Sequence, residues 1–227
     1  MKVVFATPTV ERPHDAYLKA MEDSLPALDA AGIEHSIVFE VGNPYISNAR
    51  ATLLRKALDT KPDCVVFLDH DVSWRPEDMV RLIEAPYEVV AGTYRFKLDE
   101  EEYMGRWATD EHGNIAEAND HGCIRANCVP AGFLKVTTEA IERFMRAYPK
   151  LVYGTPVAPH VDLFNHGAFG GVWFGEDYAF CRNWNDLGGK VWLMTDLNIG
   201  HHSKDKEYPG NLHNYLIRKA QEARQDA

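Results

Sequence analysis

Hydrophobic positions along the first hundred residues alternate between short unbroken runs and stretches of helical spacing. Residues 3–6 are a continuous apolar run, the mark of a strand buried on both faces. Leu18, Met21, Leu25 and Leu28 recur at three- and four-residue intervals and predict a helix that Gly32 ends. Pro26 falls inside it and is expected to kink it or start a new turn. Residues 37–41 predict a second strand. Ser47 then stands as the expected cap of a helix carrying Ala49, Leu53, Ala57 and Leu58 on one face, closed by Pro62. The run CVVFL at residues 64–68 predicts a central parallel strand, and it stops abruptly at Asp69-His70-Asp71. Pro76, with Glu77 and Asp78, opens a helix to Glu84, and residues 89–93 give a fourth strand. Successive strand–helix units predict an open α/β sheet.

The pattern changes after Tyr94. Residues 98–126 are polar and weakly periodic, which predicts short antiparallel strands and loops. Residues 129–136 resemble a strand, followed by a helix from Thr138 to about Ala147. Residues 153–174 hold Gly154, Gly167, Gly170 and Gly171 with Pro156 and Pro159, and read as a mobile loop. A helix with an acidic start follows at 176–187 and is stopped by Gly188-Gly189; residues 191–193 form a late strand. From Asn211 the chain reads as a surface helix.

Composition narrows the classes. The 227 residues are 45% hydrophobic, enough for an ordinary core, so wholesale disorder is excluded. The net charge of -10 argues against coating nucleic acid and suits a protein that gathers divalent cations. Arg95, Lys97, Lys204, Lys206, Arg218 and Lys219 could form a local basic rim, although a solvated surface is the blander account of them. No apolar run approaches the roughly 18 residues that span a bilayer, the N-terminus lacks the features of a secretory signal, and the four cysteines form no CxxC pair. The expected location is therefore the cytoplasm, of a bacterium or a virus-infected cell. His112, His121, Cys123 and Cys128 are spaced irregularly for zinc and read as ordinary loop residues.

Three places carry candidate chemistry. Asp69 and Asp71 end an apolar strand, where open α/β sheets bind ligands, and their repulsion favours a cation such as Mg²⁺ or Mn²⁺ bridging to a diphosphate. Capping of the next helix is the alternative. Gly175-Glu176-Asp177 opens a helix, either as first-turn capping or as a carboxylate base presented at a crevice. Gly200-His201-His202 follows the late strand. Adjacent side chains of an extended chain point oppositely, so at most one imidazole faces a metal.

Taken in order, the stretches PTVERP, NARATLL, VVFLDHDVSWRPEDMVRLI, VVAGTYRFK, VPAGFLKVTTEAIERF, FGEDYAFCRNWNDLGGKVWL and IGHHSKDKEYPGNLHNYL resemble the GT-A-fold glycosyltransferases. The narrower resemblance is to small, metal-dependent, family-2-like enzymes of bacteria and their viruses. It implies a single GT-A domain over 1–227: a nucleotide-binding half at 1–97, an acceptor-side half with a lid loop at 98–210, and a C-terminal helix at 211–227. It implies transfer of a sugar from a nucleotide-diphosphate sugar, with UDP the expected nucleotide, to a hydroxyl of a surface glycan or of hydroxymethylpyrimidine in viral DNA.

By position, the resemblance places Thr7, Pro8 and Thr9 at the nucleoside and Arg50, paired with Asn48, at the base or diphosphate. It places Asp71 and His201 on Mn²⁺ or Mg²⁺ and Asp69 on the ribose or metal-bound water. Gly132 and Phe133 fall beside the donor sugar, with Gly132 giving backbone amides access to it. Trp173 would stack on a sugar face, or pack in the core. Asp177 falls at the base, with Glu176 its neighbour. His70 departs from the small or apolar residue usual between the two aspartates and joins the donor-binding set, where it adds a ligand or a base contact or only alters nucleotide choice. The competing readings are a sugar-phosphate nucleotidyltransferase, although TPTVERP lacks the glycines of a phosphate loop, and a non-catalytic nucleotide-sugar or metal-binding module.

Overall fold

The computed structural model describes residues 1–225. In chain order the elements begin with β1 (Lys2–Thr9), α1 (Asp15–Ala30), β2 (Glu34–Val41), α2 (Ile46–Leu58), β3 (Cys64–Leu68), β4 (Val72–Trp74), α3 (Pro76–Glu84) and β5 (Val89–Gly92). They continue with β6 (Arg106–Trp107), β7 (Cys123–Cys128), β8 (Phe133–Thr137), α4 (Thr138–Ala147), β9 (Val152–Thr155), β10 (Ala158–Val161), β11 (Gly167–Phe169) and β12 (Val172–Phe174). The last are α5 (Glu176–Asp186), β13 (Val191–Met194), β14 (Ile199–His202), β15 (Glu207–Gly210) and α6 (Leu212–Gln225). The helix expected at 211–227 is α6, and residues 226–227 lie outside the described residues.

Eight strands form one sheet in the order β2-β1-β3-β8-β5-β13-β7-β6. The pairs β1–β2, β1–β3 and β5–β13 are parallel, while β8 and β7 run against their neighbours. Six strands therefore point the same way. The halves expected at 1–97 and 98–210 interleave in this sheet, because β8 lies between β3 and β5.

The alternation of side chains in β1 and β3 divides the core into two layers. Val4, Ala6, Val65 and Phe67 pack with Leu53 and Leu54 of α2, Phe144 of α4, and Phe180 and Trp184 of α5. Val3, Phe5, Val66 and Leu68 face the other way, onto Tyr17 and Leu28 of α1 and Met79 and Leu82 of α3. Burial on both faces is why β3 reads as an unbroken apolar run, and it fixes where that run must end: at Asp69, the first residue beyond the core.

Several local expectations are corrected. α1 continues past Pro26 to Ala30 rather than restarting there. Tyr45, not Ser47, occupies the cap position of α2; Ser47 is already in the first turn and buried. The strand expected at 129–136 begins only at Phe133. The glycine-rich stretch forms two antiparallel hairpins, β9–β10 and β11–β12. Gly170 and Gly171, with φ of +57° and +80°, make the two-residue turn between Phe169 and Val172, a conformation that glycine adopts without steric cost.

Candidate active site

The chemistry gathers where β3 ends. A cavity of about 250 Å³ is lined by Pro8, Arg50, Asp69, His70, Asp71, Glu176 and His201 from the sequence-derived set, together with Ile46, Tyr94 and Met104. Roomier depressions lie elsewhere, of which the two largest hold about 480 and 750 Å³. The first is on the Ser73, Gly200 and Glu207 side of β14; the second surrounds Lys135. Neither contains the aspartate pair or His201, so the smaller cavity is the candidate site.

Arg50 organises the wall. Its side chain, only 2% exposed, extends from α2; Nη2 donates to Asp69 Oδ1 at 2.6 Å and Nη1 to Glu176 Oε1 at 2.5 Å. One guanidinium on α2 thus joins the end of β3, 19 residues on, to the start of α5, 126 residues on. Burial works against its charge, but Asp69 and Glu176 outweigh that and raise its pKa above the ordinary arginine value. With both tips engaged by carboxylates, the guanidinium sets the positions of acids around the cavity.

Asp69 spends its second oxygen, Oδ2, on the hydroxyl of Tyr94, which donates at 2.9 Å. Tyr94 is fully buried, and burial, then the Asp69 charge, hold its pKa well above the usual phenol range, so it remains a donor. A Cβ on Gly132 would overlap both the Tyr94 oxygen and Asp69 Oδ2. Gly132 is therefore the gap through which this hydrogen bond passes. Substituting Gly132→Ala should push Asp69 and Tyr94 apart and lower turnover by about 100-fold or more, the cost of displacing a positioned group by about 1 Å. Steady-state kinetics beside a thermal melt checks this, and wild-type turnover would contradict it.

Asp71 lies beside β14, its carbonyl accepting from the His202 amide at 2.8 Å. Its Oδ2 is 3.7 Å from His201 Nε2 and is also paired with the Lys97 ammonium. Burial would raise the Asp71 carboxyl, but the contacts with His201 and Lys97 prevail and hold it well below the ordinary carboxylate range. His201 Nδ1 lies 2.7 Å from the Arg95 carbonyl, which can only accept, so Nδ1 is a donor there and Nε2 is the ring nitrogen directed at Asp71. His202 points the other way, to Ser73 Oγ at 2.7 Å, and its ring stacks on His14.

Asp177 follows Glu176 in the first turn of α5. Burial, then the neighbouring Glu176 charge, push its carboxyl up to about 6, against the Tyr178 amide and Arg50, which lower it. Trp173 is 69% exposed on β12 beside His166, so core packing does not account for it. Thr7 and Phe133 are fully buried: the Thr7 hydroxyl is bonded to Tyr17 at 2.7 Å and Phe133 packs on Trp74, so neither presents side-chain surface to a ligand. Thr9 is 6% exposed and donates to the Glu11 carbonyl. Asn48 lies outside the cavity lining, between Asn43 and Tyr153.

Tyr94, Ile46, Met104 and Lys97 escaped the sequence reading as site residues. Tyr94 and Lys97 sit within the stretch VVAGTYRFK, directly after a buried strand that runs parallel to β13, so strand-end position was the signal that could have found them.

No protein-family model matches the chain, and no curated protein is similar enough in sequence to match it. Solved structures do resemble it. A197 from STIV shares 19% identity over 93% of this chain and 95% of that one, with a TM-score of 0.53. The catalytic domain of Drosophila β1,4-galactosyltransferase 7, solved with xylobiose, shares 13% identity over 96% of this chain and 73% of that one, with a TM-score of 0.50. The fold is the GT-A fold of the glycosyltransferases.

Proposed function

We propose that this protein transfers a sugar from a nucleotide-diphosphate sugar, with UDP the expected nucleotide, to a hydroxyl acceptor, using a divalent ion at Asp71 and His201. The observation that carries the reading is the convergence of Asp71, His201, Glu176 and the Arg50-held Asp69 on one cavity at the end of β3. Such strand ends are where ligands bind in open α/β sheets.

The residues fit an ion in part. Asp71 is held ionised, and His201 Nε2 is directed at its Oδ2 across 3.7 Å, so one carboxylate oxygen and one imidazole nitrogen converge where an ion would sit. Among the described residues no three His, Cys, Asp or Glu side chains form a complete metal cluster. Asp69 has both oxygens committed to Arg50 and Tyr94. Asp71 and His201 would hold Mn²⁺ or Mg²⁺, leaving the remaining positions to the donor's phosphates and water. The ion would neutralise charge that develops on the departing diphosphate.

The chain's own groups do the rest. Pro8 and His70 line the cavity toward β1 and would border the nucleoside. Arg50 keeps Glu176 and Asp69 in place. The acceptor hydroxyl attacks the anomeric carbon, the bond from that carbon to the diphosphate oxygen breaks, and in an inverting reaction Asp177 takes the hydroxyl proton. In a retaining reaction Asp177 would instead position the sugar. The exposed Trp173 offers a flat apolar face to a sugar ring.

The surface favours a glycan acceptor over DNA. Of the six residues of the basic rim, Lys97, Lys206, Arg218 and Lys219 are each paired with a carboxylate, at Asp71, Asp99, Glu101 and Glu222, which weakens the rim's pull on a polyanion. No helix among the described residues is long and apolar enough to cross a membrane.

A screen of nucleotide-sugars with Mn²⁺, reading released nucleoside diphosphate with an oligosaccharide or hydroxymethylated DNA as acceptor, tests the reading. Acceptor-dependent release from one donor is expected. Release from none would contradict it, and pyrophosphate formed from a nucleoside triphosphate and a sugar phosphate would favour the nucleotidyltransferase.

A further inference from the structure

We propose that Lys97 is a donor-binding group held in reserve on Asp71, and that it passes to the donor's diphosphate when a divalent ion takes that carboxylate. This rests on the reading of the site given above. The Lys97 ammonium pairs with Asp71 Oδ2, and that same oxygen is the one facing His201 Nε2 at 3.7 Å. An ion shared by Asp71 and His201 needs this oxygen. An ammonium and a divalent ion at one carboxylate oxygen repel strongly, so the Lys97–Asp71 pair and ion binding exclude one another.

The surroundings keep Lys97 nearby once displaced. The Arg95 carbonyl is bonded to His201, Asp99 is paired with Lys206, and Glu101 with Arg218. The backbone is thus tied on both sides of Lys97, while its flexible four-carbon stem carries the charge. Arg50, which lines the cavity, cannot serve in the same way, because both tips of its buried guanidinium are committed to Asp69 and Glu176. A diphosphate arriving at Asp71 would meet the Lys97 ammonium, which already lies against that carboxylate.

The two roles have opposite signs, which separates them from a structural one. Without nucleotide, Lys97 competes with the ion; with nucleotide, it helps to hold the phosphates. Calorimetric titration of Mn²⁺ alone into wild type, Lys97→Met and Lys97→Arg, followed by UDP into each Mn²⁺-loaded protein, tests both. Lys97→Met should bind Mn²⁺ at least about threefold more tightly, the worth of releasing one partly exposed ion pair. It should bind UDP at least about tenfold more weakly, the worth of a charge-assisted hydrogen bond. Lys97→Arg should stay near wild type in the Mn²⁺ titration, because it keeps a cation over Asp71.

Unchanged or weaker Mn²⁺ binding in Lys97→Met, or unchanged UDP binding, overturns the proposal. If wild type binds Mn²⁺ and UDP and Lys97→Met matches it in both, only the role of Lys97 fails. If wild type binds neither, the reading of the site fails and this inference with it.

Discussion

Replacing Arg50 by methionine is expected to lower the melting temperature by about 6–12 °C and to abolish sugar transfer. The guanidinium is buried and bonds Asp69 and Glu176 at 2.6 and 2.5 Å, with its plane near the Phe164 ring. Removing one partner of a buried ion pair costs about 3–5 kcal/mol, because the remaining charge is left without its counter-ion. Here two carboxylates would be left facing each other. Their side chains keep 27% and 22% exposure and can turn partly to water, which places the cost near the lower end. For a chain of this length, about 3 kcal/mol corresponds to that melting shift. Activity should fall further than stability, since the acid that begins α5 and the acid that ends β3 lose their common anchor. Arg50→Lys should recover only part of either, because a single ammonium cannot present two parallel donors to two carboxylates. A methionine variant that melts within about 1–2 °C of wild type and keeps its turnover would refute the bridging role.

The second large effect belongs to Asp177. Asp177→Asn should lower transfer by about 10²–10⁴-fold, the usual contribution of a general base, while nucleotide binding stays within about twofold of wild type. The pH dependence carries a sign. Burial and the Glu176 charge raise the Asp177 carboxyl from 3.8 to about 6. A base must be deprotonated, so kcat/KM in wild type should climb as pH rises through about 6 and level off above it. Stability moves the other way. Between about pH 4 and 6 the native carboxyl holds its proton while the unfolded one has released it, so the native state binds more protons and stability falls as pH rises across that window. The amide introduced by Asp177→Asn cannot ionise, so that variant should lose less stability than wild type over the same range. A flat rate profile through pH 6 in wild type, or unimpaired transfer in Asp177→Asn, would remove the base from the mechanism.

The parts of the fold legible in the sequence were those in which one physical demand acts over consecutive residues. β3 must be apolar on both faces, so CVVFL declared itself and placed Asp69 at the sheet's end. The Asp-x-Asp, Glu-Asp and His segments were likewise visible as chemistry at the edges of elements. What escaped were contacts closed across the chain. Nothing near Arg50 shows that its partners are Asp69 and Glu176, 19 and 126 residues away. Nothing near Gly132 shows that Tyr94 and Asp69 fill the space its missing side chain leaves. Ser47 has the right chemistry for a cap but lies too late in the chain, because α2 is entered at Tyr45. The glycines of FGGV suggest mobility by composition alone, yet as neighbours they carry a two-residue hairpin turn.

The central claim is tested most directly by crystals of the protein grown with Mn²⁺ and UDP. The account predicts an ion bound by the Asp71 carboxylate and His201 Nε2, the diphosphate on that ion, and the nucleoside beside Pro8. An ion and nucleotide bound away from Asp71 and His201, or a nucleotide held there with Asp71 still closed on Lys97 and no ion, would contradict it.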